Sequence, residues 1–455
     1  MIDITDLRNN PQKYIDLIAK GRGDAKRADI SKWLKLDTQR NELIKKINKK
    51  RNKRNELSKG LKGKPSPEII NEVKRVKVEV EELETKLSQI EEEWKEILDW
   101  IPNLPLDEVP DGVSELNNVE IKAWNPEIGY FDETMLEGCD GSSKFMNDQG
   151  SHQDEMFKTL PHWEVADNLK IVDLQAGAKA SGSRFYYLSG DGVLLFEAVV
   201  QLMWQKLLSE GFIPLYSPLL VRESVLYGSS HFPGDADQVY KIESKNIEDS
   251  NDLYLVGSSE PSNFAKFMNK TLNLDDLPIK LMARSTCFRS EAGSWGKDVR
   301  GIKRAHQFEK LEMNIICKND LEESRKMHEY LLSLNEWLLQ ELKIPYHVIN
   351  MCIGDLGYYA AAKKYDIEFW TPSQKCFTEI MSNSITTDYQ SRRLNIKYKN
   401  ENNELSFVHT LNDTAVTHRI LIAIIEHYQQ SDGSIKVPEA LQSYIKKEFI
   451  FKNKL

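Results

Sequence analysis

A run of apolar residues from Ile69 to Ile101, at alternating spacings of four and three, constrains the fold of this 455-residue chain more than any other feature. Its members are Ile69, Val73, Val76, Val80, Leu83, Leu87, Ile90, Trp94, Ile97 and Ile101. A seam of this kind, sustained over several heptads, is typical of a coiled-coil helix that packs along its length against another helix.

A second helix with the same pattern precedes this one. Its seam comprises Leu36, Leu43, Ile47, Leu57 and Leu61, with Arg40, Lys50 and Arg54 at further seam positions. Between the two runs, Gly63 and Pro65 end one helix, and Ser66 and Pro67 begin the next as N-cap and first helical residue. The pattern predicts an antiparallel coiled-coil hairpin over about residues 30–101, roughly 45 Å long at 1.5 Å per residue.

The charge of this hairpin is uneven. From Lys45 to Lys64 there are ten Lys or Arg and one acid, Glu56, whereas acids dominate from Glu79 to Glu96. The whole chain is acidic, with a net charge of −9 and a pI of about 5.7. A basic helix on an acidic protein favours a polyanion partner, although a solvated coiled coil also carries many charges. The candidates for phosphate contacts are the cations that lie off the seam, Lys46, Lys49 and Lys53.

Cysteine usage and apolar patterning indicate a cytoplasmic protein without a membrane anchor. The five cysteines contain no CxxC pair, so spacing encodes neither a disulfide framework nor a zinc site. The N-terminal residues lack the pattern of a signal or transit peptide. The longest apolar stretch carries Glu197 and Gln201 in its middle, which makes it a poor membrane span.

A proline-rich linker, IPNLPLDEVPDG, ends the coiled coil and divides the chain into domains of residues 1–105 and 106–455. Beyond residue 115, apolar β-rich runs alternate with amphipathic helices. The predicted strands include DLYLVG, IKLMARSTCF, QFEKLEMNIIC and NELSFVHTLN, and the predicted helices include VLLFEAVVQLMWQKLLSEG and LEESRKMHEYLLSLNEWLLQELK. Hairpin-like strands next to long helices predict an α+β domain on an antiparallel sheet.

The chemistry concentrates between a predicted strand that ends at Phe288-Arg289 and a second one that carries Phe308 and Glu312. Arginine at a strand end can hold a phosphate or carboxylate bidentately, and an aromatic ring can stack on a base. The loop between the strands combines glycines with cations, namely Gly293, Gly296, Gly301, Lys297, Arg300, Lys303 and Arg304. By composition alone this segment fits either a nucleotide site or an ordinary solvated loop.

The order of the residues decides between these two interpretations. FRSEAGSWGKDVRGIKRAHQFEKLE resembles motif 2 (about residues 283–312) of the class II aminoacyl-tRNA synthetases. More narrowly, it resembles the form found in the seryl-tRNA synthetase family, FRxEAGSxG(R/K)DxRGxxRxHQFxKxE. A match of this length is far more specific than a short glycine pattern.

Other stretches resemble the same family in the expected order. The hairpin ending in WIPNLP resembles its tRNA-binding arm. GFIPLYSPLLVRESVLYGSSHFP, with Pro218, resembles motif 1 (about 193–222) and its continuation, and HTLNDTAVTHRILIAIIEHYQQ resembles motif 3 (about 409–430). GDLGYYAAAKKYDIEFW and CFTEIMSNSITTDYQSRR resemble family segments that end in K-x-Y-D-x-E-x-W and D-(F/Y)-Q-x-R-R. The resemblance implies a class II catalytic domain on an antiparallel sheet, preceded by the coiled-coil arm.

The resemblance also implies roles for the residues of an ATP site. Arg289 would bridge the serine carboxylate and the α-phosphate, and Arg419 would lie under the γ-phosphate; with Glu379 they form the expected catalytic set. Glu291 would accept a hydrogen bond from the adenine amino group, and Phe308 would stack on the adenine. The other positions that match the ATP site are Ser290, Ala305, Ile380, Met381 and Ser382.

A metal site and a serine site follow from the same comparison. Glu379 and Ser382 match the family's magnesium ligands, and a carboxylate with a hydroxyl suits Mg²⁺, which keeps few protein ligands. The serine ammonium would contact the GSSE segment, and the serine hydroxyl would contact Glu312 and Thr414. The full expected serine site is Ser258, Ser259, Glu260, Arg289, Glu312 and Thr414.

Motif 3 departs from the family pattern. Six residues separate Asn412 from Arg419, one fewer than in the bacterial form NGSGLAVGR, and His418 replaces the glycine before the arginine. The shorter spacing leaves open whether Asp413 or Thr414 would contact the serine hydroxyl.

The leading hypothesis is a homodimeric serine–tRNA ligase, with motif 1 at the dimer interface. Such an enzyme would activate L-serine with ATP and transfer the seryl group to tRNA-Ser; whether tRNA-Sec is also a substrate stays open. The alternative is a synthetase-like protein that binds tRNA or another protein without aminoacylation, which the motif 3 departures motivate.

Overall fold

The computed structural model describes residues 1–59, 66–131, 159–243, 252–292, 300–357 and 359–453. Two compact units divide the chain, Met1–Leu104 and Pro105–Leu455. The helices of the described residues are α1 (Ile4–Asn9), α2 (Pro11–Ala19), α3 (Ile30–Lys59), α4 (Pro67–Asp99), α5 (His162–Leu169), α6 (Leu174–Ser181), α7 (Asp191–Ser209), α8 (Glu223–Gly228), α9 (Glu260–Ala265), α10 (Leu321–Glu341), α11 (Tyr389–Leu394), α12 (Arg419–Tyr428) and α13 (Glu439–Ile445).

The strands of the described residues all lie in the second unit. They are β1 (Val119–Asn125), β2 (Gly129–Phe131), β3 (Val172–Asp173), β4 (Tyr187–Leu188), β5 (Ile213–Leu215), β6 (Leu220–Arg222), β7 (Lys241–Ile242), β8 (Leu253–Leu255), β9 (Thr271–Leu272), β10 (Ile279–Phe288), β11 (Gln307–Cys317), β12 (Tyr346–Asn350), β13 (Lys363–Thr371), β14 (Cys376–Thr387), β15 (Lys397–Lys399), β16 (Leu405–Phe407), β17 (His409–Thr417), β18 (Ile435–Lys436) and β19 (Phe449–Ile450).

The first unit contains the predicted helical hairpin. The Ser66 side chain accepts a hydrogen bond from the Ile69 N–H, and Pro67 is the first residue of α4, so the predicted helix start is confirmed. Ion pairs between α3 and α4 run in opposite order along the two helices: Arg40–Glu91, Lys50–Glu79 and Lys53–Glu72. The helices are therefore antiparallel. The loop predicted from Gly63 and Pro65 lies outside the described residues.

The hairpin's seam is apolar where the heptad pattern predicts it. Ile47 of α3 packs against Val76 and Val80 of α4, all three buried, with Leu57, Leu83 and Leu87 partly buried around them. The cations at seam positions, Lys50 and Arg54, are half-buried. Their aliphatic stems can extend the apolar contact while the charged groups reach solvent.

The second unit is organised around a sheet that has nine strands within the described residues, in the order β2-β1-β12-β13-β14-β17-β11-β10-β5. Adjacent strands are antiparallel except for β10 and β5, which are parallel. The predicted strands 279–288 and 307–317 form β10 and β11, which pair along their full length. The α+β prediction on an antiparallel sheet is confirmed.

Helix α10 covers one face of the central strands. Asp320 caps it by accepting hydrogen bonds from the backbone N–H groups of Glu322 and Glu323. Its apolar side, which includes the buried residues Leu331 and Leu338, joins the main core. The opposite face of the same strands carries polar side chains, and it is this face that forms a cavity.

Helix α7 matches the predicted apolar helix. Among the described residues it alone is long and apolar enough to cross a membrane, but 44% of it is buried inside the protein. Glu197 in its middle receives two hydrogen bonds, at 2.6 and 2.7 Å, from the guanidinium of Arg284. A core helix of a globular domain has the same length and composition, so these properties are weak evidence for a membrane span.

Candidate active site

A cavity of about 510 Å³ lies on the polar face of the central strands. This volume suits a nucleotide or a small cofactor. Side chains predicted for the ATP, serine and metal sites line its wall, although they come from distant parts of the chain: Ser258, Glu260, Arg289, Glu291, Ala305, Phe308, Glu379, Ile380, Ser382, Thr414 and Arg419.

One end of the cavity has an aromatic ring flanked by an arginine. The guanidinium of Arg289 lies 5.4 Å from the centre of the Phe308 ring, and its Nε donates to the Gly257 carbonyl at 3.2 Å. Two residues further along the chain, the backbone of Glu291 adopts a left-handed conformation, with φ of 51°. Its carboxylate lies 3.4 Å from Nη1 of Arg304. The ring and the charges can hold a purine and its phosphates.

Arg419, the first residue of α12, is held against Glu379. Its Nη1 donates to both the backbone carbonyl and the carboxylate Oε2 of Glu379, each at 3.0 Å. Burial opposes the charged form of Glu379, but the cations of Arg419 and Lys364 outweigh it and hold the pKa of this carboxyl at about 2. Glu379 therefore carries a full negative charge at neutral pH.

Glu379 and Ser382 present a carboxylate and a hydroxyl to the same cavity. Oxygen ligands of this kind fit Mg²⁺, which commonly takes one or two protein ligands and completes its shell with waters and phosphates. The described residues contain no group of three or more acidic, histidine or cysteine side chains placed to bind a metal ion. The site therefore fits a metal ion that binds together with a nucleotide and shares its phosphates as ligands, rather than a metal ion held by protein ligands alone.

At the other end, the buried carboxylate of Glu260 lines the cavity, and that of Glu312 lies just behind the wall. Oε1 of Glu260 accepts hydrogen bonds from the amides of Gln390, at 2.7 Å, and Asn412, at 3.2 Å. Burial, and next the negative charge of Glu312, raise the pKa of Glu260 to about 7. Ionising the Glu260 carboxylate is costly when no cation is near, so the ammonium group of a bound substrate would stabilise its charged form.

Glu312 is 1% exposed and lies behind the cavity wall. Lys310, two residues earlier on the same face of β11, forms an ion pair with it, and the Lys310 Nζ donates to Ser258 Oγ at 3.3 Å. Burial raises the pKa of Glu312, and Lys310 partly offsets this effect. The sequence analysis gives Lys310 no role. Alternate residues of a strand share one face, however, so the pattern does place Lys310 beside Glu312.

The structure separates the two candidates in motif 3. Thr414 pairs with Glu312 across β11 and β17 and lines the cavity. The Asp413 side chain lies on the opposite face, where it accepts a hydrogen bond from the Asn335 amide of α10 at 2.7 Å. Asp413 is therefore oriented away from the cavity.

His418 occupies the place of the expected glycine without closing the cavity. It is 5% exposed, and its Nε2 lies 2.7 Å from the Ile302 carbonyl oxygen. Because a carbonyl oxygen can only accept a hydrogen bond, Nε2 must be the donor. Burial lowers its pKa to about 3, so the ring is neutral with the proton on Nε2. Its ring centre lies 5.1 Å from that of Phe308, which extends the aromatic wall.

Three side chains of the expected set make other contacts. Ser259 is fully buried, with its Oγ 3.4 Å from the Ala283 carbonyl. Ser290 Oγ donates to the Asp237 carbonyl at 2.5 Å, and Met381 belongs to the main core. The loop positions Gly293, Gly296 and Lys297 lie outside the described residues. Sequence reasoning also missed Gln390, which comes from α11 and has no local pattern that connects it to Glu260.

The basic side of α3 is only partly neutralised. Lys46 and Lys49 are exposed, and within the described residues no acidic partner contacts either of them. Lys53 instead donates to Glu72 at 2.6 Å. Lys46 and Lys49 are therefore better placed than Lys53 to meet a polyanion.

Two family models match the chain. Residues 1–105 match the seryl-tRNA synthetase N-terminal domain, and residues 240–428 match the class II core domain of the tRNA synthetases for G, H, P, S and T. A serine–tRNA ligase from Dictyoglomus turgidum is 38% identical over 450 residues, which cover 98% of this chain and 98% of that protein.

Solved structures agree over the full length. The seryl-tRNA synthetase from Pyrococcus horikoshii complexed with ATP superposes with a TM-score of 0.86 and 34% identity, covering 100% of both chains. The cytoplasmic serine–tRNA ligase from Naegleria fowleri in complex with AMP gives a TM-score of 0.82 at 29% identity, covering 100% of this chain and 99% of that one. With the geometry of the cavity, these matches establish that the chain belongs to the seryl-tRNA synthetase family of class II aminoacyl-tRNA synthetases.

Proposed function

We propose that this protein is a serine–tRNA ligase, which activates L-serine with ATP and then transfers the seryl group to the 3′ end of tRNA-Ser. The observation that carries the proposal is the cavity itself. It combines an arginine-flanked ring at Phe308, an oxygen pair at Glu379 and Ser382, and a buried acidic end at Glu260. ATP and an amino acid require these three environments side by side.

Activation joins two like-charged reactants. A serine carboxylate oxygen attacks the α-phosphorus, the bond from that phosphorus to the bridging oxygen breaks, and pyrophosphate leaves with the electron pair. Arg289 and Arg419 are placed to neutralise the phosphates and to hold them in line. A Mg²⁺ ion held by Glu379 and Ser382 would add positive charge at the phosphate oxygens.

No protein nucleophile is required for either step. In the transfer step, a ribose hydroxyl of the tRNA 3′ end attacks the carbonyl carbon, and AMP leaves. Cys287 lies on β10, close to Arg289, and burial raises its pKa to about 11, so its thiol is a poor nucleophile at neutral pH.

The acidic end of the cavity accounts for the choice of serine. Glu260 would receive the ammonium group. The Thr414 hydroxyl, with the Glu312 carboxylate beside it on β11, would bind the serine hydroxyl. An amino acid that lacks this hydroxyl would leave buried polar groups without partners, which is strongly unfavourable.

Assembly and tRNA binding complete the proposal. Apolar residues of the motif 1 region are exposed, with Leu194 46%, Leu208 40% and Tyr216 102% exposed, and a twofold dimer would cover them. The exposed lysines Lys46 and Lys49 would contact tRNA phosphates. The enzyme would work in the cytoplasm without membrane attachment.

The test is serine-dependent exchange of pyrophosphate into ATP, followed by aminoacylation of a mixed tRNA pool with each amino acid in turn. Serine alone should support both reactions. Arg289→Ala should lower exchange about 100- to 1000-fold, because it removes a contact that strengthens as charge develops, whereas Arg392→Ala, outside the cavity, should stay near wild type. Tight tRNA binding without serine-dependent exchange would favour the non-aminoacylating alternative.

A further inference from the structure

Lys364 places an ammonium group in the cavity wall beside the metal-binding pair. Its side chain is 19% exposed, and its Nζ donates to Asp366 Oδ2 at 3.0 Å. Directly opposite on β14 is Ser384, which also lines the cavity. In the family pattern K-x-Y-D-x-E-x-W this lysine falls on the unspecified position, so the resemblance assigns it no role.

The neighbouring residue, Lys363, points away from the cavity that Lys364 lines. Successive side chains of a strand point to opposite faces. Lys363 lies on the other face of β13, 7% exposed, with its Nζ 3.5 Å from Oε1 of Glu108. Of these two adjacent lysines, Lys364 lines the cavity and Lys363 does not.

A lysine has three N–H donors. Within the described residues, Asp366 accepts from the Lys364 Nζ and no second acceptor contacts it. The charges of Asp366 and Glu379 offset the cost of burying this ammonium group. Because Asp366 accepts only one of the three N–H groups, two donors remain for an anion that enters the cavity next to Glu379 and Ser382.

We propose that Lys364 donates hydrogen bonds to the β- or γ-phosphate of bound ATP and to the pyrophosphate that leaves. This inference rests on the proposed function, because that function brings a triphosphate to Glu379 and Ser382. Arg289 and Arg419 approach from β10 and α12, and Lys364 adds a cation from β13, on a third side. The contact stabilises the leaving group without entering the bond-making step.

Binding titrations with ATP and AMP test this contact. Calorimetry in the presence of Mg²⁺ should show that Lys364→Met raises the Kd for ATP and for pyrophosphate at least tenfold, while the Kd for AMP stays within about twofold. The unchanged AMP affinity also demonstrates that the variant is folded. Lys364→Arg should keep most of the ATP affinity, and Lys363→Met should change neither Kd by more than about twofold.

Two results would overturn the assignment. An equal loss for ATP and AMP would mean that Lys364 only maintains the shape of the site, and unchanged ATP affinity would mean that it makes no phosphate contact. The proposed function fails by a different measurement. A wild-type protein that binds ATP but shows no serine-dependent exchange would refute the ligase, while the titrations would still decide the role of Lys364.

Discussion

Glu379 and Ser382 face the same cavity although they stand three residues apart in one strand, a spacing that puts side chains on opposite faces of a regular strand. The pairing of β14 with β13 shifts at this point and leaves Ile380 as an extra residue. A β-bulge of this kind redirects the following side chains. The bulge is therefore what assembles the two candidate metal ligands.

The first prediction concerns this pair. Glu379→Ala should lower serine-dependent pyrophosphate exchange by about 100-fold or more, because it removes a half-buried anion that pairs with Arg419 and would hold the metal ion. Excess Mg²⁺ should restore only part of the rate. Exchange should be measured over a range of Mg²⁺ concentrations. A decrease of less than tenfold, or complete rescue by Mg²⁺, would contradict the assignment.

The second prediction concerns recognition of the serine hydroxyl. Thr414→Val should raise the KM for serine about tenfold with little change in the KM for ATP, because a methyl group replaces the hydroxyl at the acidic end of the cavity. Asp413→Asn should leave both constants near wild type, since Asp413 is oriented towards Asn335. Steady-state exchange kinetics provide the comparison. If Asp413→Asn raised the KM for serine and Thr414→Val did not, the contact with the serine hydroxyl would belong to Asp413.

The third prediction is a pH dependence of serine binding. Glu260 has a pKa of about 7 in the free enzyme, raised by burial and by Glu312. The serine ammonium needs the ionised carboxylate, so affinity should increase as the pH rises and level off above 7. At pH 6 only about a tenth of Glu260 is ionised, and affinity should be about tenfold lower than at the plateau.

Glu260→Gln provides the control for that experiment. A neutral amide does not titrate, so the variant should bind serine weakly with no inflection near pH 7. Calorimetric titration of serine from pH 5.5 to 8.5 measures both proteins. An unchanged inflection in the variant would assign the titration to another group.

Local patterns predicted the long elements well. The apolar runs of β10 and β11 and the Ser66-Pro67 helix start are properties of short segments, and the structure has them where the sequence places them. The heptad seam also determined which faces of α3 and α4 meet, because its period leaves one apolar stripe on each helix.

The details of the site depend on pairing between distant strands, which no local pattern encodes. The side-chain faces of β17 change at Ala415, the extra residue between Thr414 and Val416 in the pairing with β11. This bulge allows Thr414 and Thr417 to line one cavity. Gln390 reaches Glu260 across 130 positions of the chain. Only the resemblance to a family could connect such positions in advance.

The fourth prediction concerns assembly. Light scattering at micromolar concentration should give about twice the chain mass of 52.6 kDa. Tyr216→Arg should shift the protein towards monomer, because it adds a charge to an exposed apolar region that a dimer would bury. Lys375→Glu, an exposed position in the turn between β13 and β14 and outside the motif 1 region, should leave the mass unchanged. A wild-type protein that is monomeric and fully active would refute the dimer.

The last prediction separates the two half-reactions. Lys46→Glu/Lys49→Glu should leave pyrophosphate exchange within about twofold of wild type, because Met1–Leu104 is a compact unit separate from the one that contains the cavity. The same variant should raise the KM for tRNA about tenfold. It should also reduce the salt dependence of tRNA binding by about one unit of slope for each phosphate that the variant no longer neutralises.

Lys74→Glu/Lys86→Glu makes the same change of charge on α4, where acids dominate, and it should affect tRNA binding much less. Lys53→Glu should also have a smaller effect than either Lys46→Glu or Lys49→Glu, because Glu72 already neutralises Lys53 in the free protein. Filter binding at several salt concentrations ranks these variants.

If the charge of α3 serves only solubility, no variant will change the KM for tRNA. An equal decrease in exchange and transfer would indicate damage to the fold, which a thermal melt followed by circular dichroism would reveal.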